Sequence, residues 1–362
     1  MDQQNTDQWE GFLEPSDKPE PSSEPTKTTE VAPTSNPDSE IAPPQDPDGK
    51  PFKTVCGGQA LIEGIMMRGP TKQAVVVRKP EGDLEIQEKP LTLIKERNKL
   101  FGLPFIRGPI NFFDAMVNGM KALMFSAEFY PEDEDMEPSK FDLWLEKKLG
   151  TQGMNTFISF VAVGISIALS IVLFLFLPTF LGGFVTRFTD SQMVRNIAES
   201  VFKMSIFMGY LALCSKMKDI QRVFQYHGAE HKTIFCYEAG LPLTVENVRK
   251  QPRFHPRCGT SFLFFVIVIS ILISTAVFTL YPMDNVFLRM LANFAMLPFV
   301  VGISYEFNRY MGRHDNKFCR FLIAPGLWLQ KFTTFEPEDD MIEVGIEALK
   351  LVLPEEKGAD RW

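Results

Sequence analysis

The distribution of charge along the chain divides it before any motif is read. Residues 149–186 contain no Asp, Glu, Lys, Arg or His over 38 positions, and about 20 apolar residues cross a bilayer as a helix. The pattern predicts a transmembrane helix over 157–177. A second uncharged run of 26 residues, 258–283, predicts a span over 262–280. The third, 290–305, has 16 uncharged residues between Arg289 and Glu306, enough if those ends snorkel toward water. In 197–214, Glu199 and Lys203 leave 12 uncharged residues before Lys216, so this span requires neighbouring helices to cover the two charges.

Basic residues orient the spans. The 216–257 segment carries eight Lys and Arg, whereas 178–200 carries Arg187 and Arg195 alone and the 281–289 turn only Arg289. Positive charge marks cytosolic loops. Four spans place the N-terminus, 216–257 and the C-terminus on the cytosolic side, in agreement with Lys147, Lys148, Arg309, Arg313, Lys317 and Arg320 at the other membrane edges.

Outside the spans the pattern changes. Val75, Val76 and Val77, the turn residues Pro80, Glu81, Gly82 and Asp83, and the alternating Leu84 and Ile86 predict a β-hairpin, with 59–66 as a third strand. Over 105–125, Phe112, Phe113, Met116, Met120, Leu123 and Met124 recur at helical spacing, which predicts a helix packed on those strands or lying on a membrane surface. Residues 321–332 read as an interfacial segment, and 337–352 as a short amphipathic helix with Glu336, Glu338, Asp339 and Asp340 near its N-terminus. Residues 1–50 hold nine of the 26 prolines among mostly polar residues, too little apolar surface to offset chain ordering. They read as a disordered acidic tail, with Trp9 to Leu13 its one candidate docking peptide.

The chain therefore divides into a tail (1–50), a cytosolic strand-rich domain with an amphipathic helix (51–150), a four-span membrane domain with a loop at 216–260 (151–310), and a cytosolic C-terminal segment and helix (311–362). The fold class is an α-helical integral membrane protein with a small N-terminal α+β domain. The 362 residues carry a net charge of −8, which argues against nucleic acid as a partner and leaves the lipid bilayer as the first one. Five scattered cysteines and no charged-then-apolar leader favour reducing surroundings over a disulfide framework.

Three of the four histidines, His227, His231 and His255, fall within 29 residues. Tyr226-His227-Gly228-Ala229-Glu230-His231 contains H-x-x-E-H, which on a helix stacks both imidazoles on one face, a geometry suited to a divalent metal, zinc first. Glu230 stands where a general base for water would. His255 and Cys258, at the start of the next span, offer a third nitrogen and a sulfur. The competing reading notes that Met217, Ile220, Phe224, His227, His231 and Phe235 form one stripe, where histidines often serve as hydrogen-bonded core. Gly57, Gly58 and the 64–69 stretch suggest a phosphate loop only weakly, since no G-x-x-x-x-G-K follows; bulges or turns fit better. Glu306 is weighed as a further ligand or a partner of one.

Cys56-Gly57-Gly58-Gln59-Ala60-Leu61-Ile62-Glu63-Gly64-Ile65-Met66-Met67-Arg68-Gly69, the block from Tyr226 to Lys232, His255-Pro256-Arg257-Cys258-Gly259-Thr260-Ser261-Phe262, Ile303 to Glu306, and Pro325-Gly326-Leu327 with Gln330 resemble the bacterial YqhQ-like membrane protein family, a domain of unknown function described as a predicted metal-dependent enzyme. The resemblance runs from about residue 52 to about 352. H-x-x-E-H is also similar to the inverted zinc-peptidase motif, which implies His227 and His231 as ligands and Glu230 as base. The expected function is metal-dependent hydrolysis of a membrane-associated peptide or lipid. The alternative is a non-enzymatic scaffold or assembly factor with a structural metal. A transporter is disfavoured by the few polar groups in the spans and the lack of an inverted repeat.

Overall fold

A computed structural model describes residues 52–91, 99–130, 140–314, 316–356 and 358–362. The tail expected over 1–50 lies outside them. Residues 57–90 form an antiparallel meander of four strands, β1 (Gly57–Leu61), β2 (Gly64–Arg68), β3 (Lys72–Arg78) and β4 (Leu84–Pro90). The single strand expected over 59–66 is two strands, because Ile62 and Glu63 make a two-residue turn that pairs Leu61 with Gly64. Glu63 takes a φ of +48° there, unusual for a residue with a Cβ. Its carbonyl accepts from the Arg78 amide at 2.8 Å and its carboxylate pairs with Arg222, so the turn is held from both ends. The expected hairpin is β3 and β4, with Val76 opposite Ile86.

The helices are α1 (Arg107–Ala127), α2 (Lys140–Ile171), α3 (Leu177–Val185), α4 (Gln192–Cys214), α5 (Lys218–Glu238), α6 (Val245–Arg249), α7 (Gly259–Leu280), α8 (Val286–Arg313), α9 (Lys317–Thr333) and α10 (Asp339–Val352). Among the described residues four are long and apolar enough to cross a membrane: Phe160–Val185, which runs from α2 through a π-helical turn at Val172–Phe176 into α3, then α4, α7 and α8. Pro178 follows the π turn. It lacks an amide hydrogen and its ring crowds the preceding turn, which widens the helix there.

Both charges that interrupt the weakest predicted span meet neighbouring helices, Lys203 donating to Ser270 Oγ of α7 at 3.5 Å. Glu199 of α4 accepts from Arg289 Nε of α8 at 2.9 Å and from Thr179 Oγ1 of α3 at 2.9 Å. At that end of the bundle Gln192 donates to Asp284 at 3.1 Å and Arg195 to the Met283 carbonyl at 3.3 Å. At the other end, Lys53 donates to the Gly312 carbonyl at 2.9 Å and Arg107 pairs with Glu306. Residues 216–257 meet the chain after α8 there, His227 Nδ1 donating to the Thr333 carbonyl at 2.8 Å and the His255 amide to Gln330 at 2.7 Å, as an even number of spans between the two stretches requires.

One face of the sheet packs on α5 and α10 through Ile65, Met67, Val76, Tyr226, Ile342 and Leu349. The opposite face meets α1 through Leu61, Met66, Val75, Val77 and Ala122. Burial on both faces explains the near-continuous apolar run of β2 and β3. Helix α1 buries its small residues, Gly108, Gly119, Ala122 and Ser126, while Phe113, Met116, Met120 and Met124 are exposed. Most of the large apolar stripe that spacing alone would pack on the strands is thus the open face. Close approach of the 105–108 segment to α8 depends on Gly302, where an added Cβ would lie 2.3 Å from the Phe105 carbonyl oxygen.

Candidate metal centre

Helix α5 carries His227 and His231 one turn apart, ring centroids 4.4 Å from each other. Each ring is fixed from behind. His227 Nδ1–H donates to the Thr333 carbonyl at 2.8 Å, and His231 Nδ1–H to the Arg253 carbonyl at 2.6 Å. A carbonyl only accepts, so in both rings Nδ1 carries a proton, and the neutral form of each ring then presents its lone pair at Nε2, the arrangement that metal-bound histidines show. Cys258 caps the N-terminus of α7, its sulfur accepting from the Thr260 amide at 3.4 Å. The same sulfur lies 3.2 Å from His227 Nε2. One ligand atom from each of His227, His231 and Cys258 falls within 4.8 Å of the other two. Zinc bonds of about 2.0 Å to nitrogen and 2.3 Å to sulfur at a tetrahedral angle place such atoms roughly 3.5 Å apart, so a small adjustment closes the triplet around an ion.

Glu230 is buried beside them. One carboxylate oxygen accepts from the Gly58 amide at 2.8 Å, and the other is 3.5 Å from His231 Nε2. Burial raises its carboxyl above the usual range, against the lowering pull of His227, the Gly58 amide and Arg257. The contact needs glycine: a Cβ at position 58 would lie 2.8 Å from Glu230 Cγ and 2.8 Å from the Met66 carbonyl oxygen. Of the glycines weighed as a phosphate loop, Gly57, Gly58 and Gly64 are thus strand residues and Gly69 belongs to the turn between β2 and β3, and Gly58 supplies an amide to Glu230.

His255 stands next to the triplet, outside it. Its ring centroid is 5.5 Å from that of His231, its Nδ1 accepts from the Arg257 amide at 3.4 Å, and its Nε2 is 3.9 Å from a Glu238 oxygen. Burial, only partly opposed by Glu238, pushes its pKa down to about 4, so the ring is neutral. Gln330 clamps its backbone, accepting from the His255 amide and donating to its carbonyl, both at 2.7 Å. Glu306 is engaged by Arg107 Nε at 2.6 Å and sits apart from the triplet. Glu238, which holds Arg257 and accepts from the Thr54 amide at 2.8 Å, escapes the sequence reading. Its one signal is its place at i+7 from His231, on the stripe that ends α5.

The triplet and Glu230 open into a cavity of about 600 Å³ lined also by Gly57, Gln59, Arg68 and Trp362. Fold and site together define a membrane-type chain, with four apolar helices of spanning length among the described residues and a sheet-capped His-His-Cys cluster at one end of their bundle. The family model for a protein of unknown function (DUF1385) matches residues 103–355, and the chain belongs to that family. It is 36% identical over 299 residues, 82% of this chain and 92% of the relative, to the uncharacterized protein YqhQ of Bacillus subtilis (strain 168). No solved structure matches.

Proposed function

We propose that the chain is a multi-pass membrane enzyme of the bacterial inner membrane, a metal-dependent hydrolase working at the cytosolic face. The observation that carries the reading is the pair of imidazoles held by Nδ1 with Cys258 Sγ beside them and a buried carboxylate at their edge. Three protein ligands leave a position open, the pattern of catalytic zinc sites, whereas structural sites use four. His255, with both ring nitrogens facing Arg257 and Glu238, favours three and therefore the enzyme over the scaffold. A divalent ion held there would supply Lewis acidity toward an acyl or phosphoryl oxygen and toward water. Glu230, its carboxyl raised by burial, would take the proton of an attacking water and return it to the leaving group. The sheet, α5 and α7 exclude bulk water from the floor of the cavity.

Glu230→Gln is expected to keep bound metal and fold while lowering hydrolysis by about 10²–10⁴-fold, and His231→Ala to lose the metal. Metal content and turnover of phospholipid and peptide substrates, measured on both variants, check this. Full turnover in Glu230→Gln would remove it as base, and loss of metal equal to that of His231→Ala would make it a fourth ligand and favour the structural site.

A further inference from the structure

Beside the metal cavity lies a second lobe of about 360 Å³, and Val55, Asn111, Tyr305 and Trp362 line both. Its charge is one-sided. Arg107, Arg309 and Arg313 line it, and none of its wall residues is acidic. Arg107 is neutralised by Glu306. Arg309 and Arg313 make no hydrogen bond or ion pair among the described residues. In the metal cavity, by contrast, Arg68 is paired with Asp114 and Arg257 with Glu238. The surplus positive charge next to the metal site is therefore concentrated in the second lobe, with Asn308 and the Asn111–Tyr305 hydrogen bond of 3.0 Å supplying neutral polar groups.

The rim of this lobe is apolar. Phe101 and Trp362 line it while 37% and 40% exposed, and Leu103, Phe105 and Ile106 are exposed alongside. All of this sits at the end of α8, one of the four helices long enough to cross a bilayer. Guanidinium groups match the oxygens of a phosphate in fork geometry. A soluble anion would gain nothing from the apolar rim, whereas an amphiphile would use both features, head on the arginines and chains toward the bilayer.

We propose that this lobe seats the phosphate-bearing headgroup of an anionic lipid, which makes a phospholipid-class amphiphile the substrate of the adjoining centre. The substrate role rests on the metal-hydrolase reading; headgroup binding does not. The full-length protein in detergent is titrated calorimetrically with dihexanoyl phosphatidic acid, dihexanoyl phosphatidylcholine and inorganic phosphate. Phosphatidic acid is expected to bind about ten-fold more tightly than either of the others, one charge-assisted contact's worth. Arg313→Gln, at an exposed position that disturbs no packing, is expected to weaken it about ten-fold, Arg309→Gln/Arg313→Gln further, and His231→Ala not at all. Size exclusion confirms that each variant remains folded, and Arg313→Gln alone carries the test if the double variant aggregates. Phosphate binding as tightly as phosphatidic acid would assign a free-anion site and overturn the lipid. Equal binding of the two lipids, no effect of Arg313→Gln, or loss in His231→Ala would overturn the lobe. A protein without metal that still shows the lipid preference would sink the hydrolase and leave this site standing.

Discussion

Tying Nδ1 of His227 and His231 to backbone carbonyls fixes the tautomer and the ring direction at once. The same economy appears behind His255, where Glu238 and Arg257 are buried together. Burial alone would raise the Glu238 carboxyl, but the nearby His255 ring, the charge of Arg257 and the Thr54 amide hold it below its ordinary 4.5. A carboxyl depressed in the folded state stabilises above its unfolded value, and that contribution is lost as pH falls through the folded value. The Tm of the detergent-solubilised protein should therefore decline below pH 4.5. Glu238→Gln should unfold at lower temperature at pH 7 and decline less steeply in acid; parallel curves for the two proteins would contradict the assignment. At this scale the H-x-x-E-H spacing was readable because helical periodicity alone puts both rings on one face. Which further residue joins them was not. The Thr333 and Arg253 carbonyls and the Gly58 amide are backbone groups, so they leave no side-chain signature.

Among the elements, α4 shows how a span tolerates charge. The Glu199 and Arg289 side chains are 5% and 1% exposed and pair across α4 and α8. Removing one partner of such a pair strands the other, at about 3–5 kcal/mol, whereas replacing both is far milder. Glu199→Leu is expected to destabilise strongly and Glu199→Leu/Arg289→Met to recover most of the loss, as read by thermal unfolding in detergent. Additive losses would mean that the pair is not coupled. Hydropathy located the four long apolar helices among the described residues, and the first, expected over 157–177, lies inside the helical run through α2, the π turn and α3. The uncharged run continues to Thr186, which is why the helix extends past the expected end to Val185. Helix α1 defied the pattern more deeply, because its interior face is made of glycine, alanine and serine, which periodicity of large residues does not see.

At the scale of the molecule, one core joins three stretches that hydropathy sets apart: the sheet, α5 between the second and third spans, and α10 near the C-terminus. That closure requires residues 216–257 and the chain after α8 to lie on the same side of a membrane. The positive-inside bias predicts the cytosol for that side. Reporters fused after Lys218 and after Val352 are expected to read cytosolic and one near Thr189 exterior; an exterior signal at Lys218 would break the four-span arrangement. Everything proposed about chemistry depends on an ion at the His227, His231 and Cys258 triplet. The most direct test is elemental analysis with X-ray absorption on protein purified without chelators. About one divalent ion per chain is expected, with two nitrogen neighbours near 2.0 Å and one sulfur near 2.3 Å. Metal-free protein under those conditions, or an ion whose shell lacks sulfur and survives His231→Ala, would contradict it.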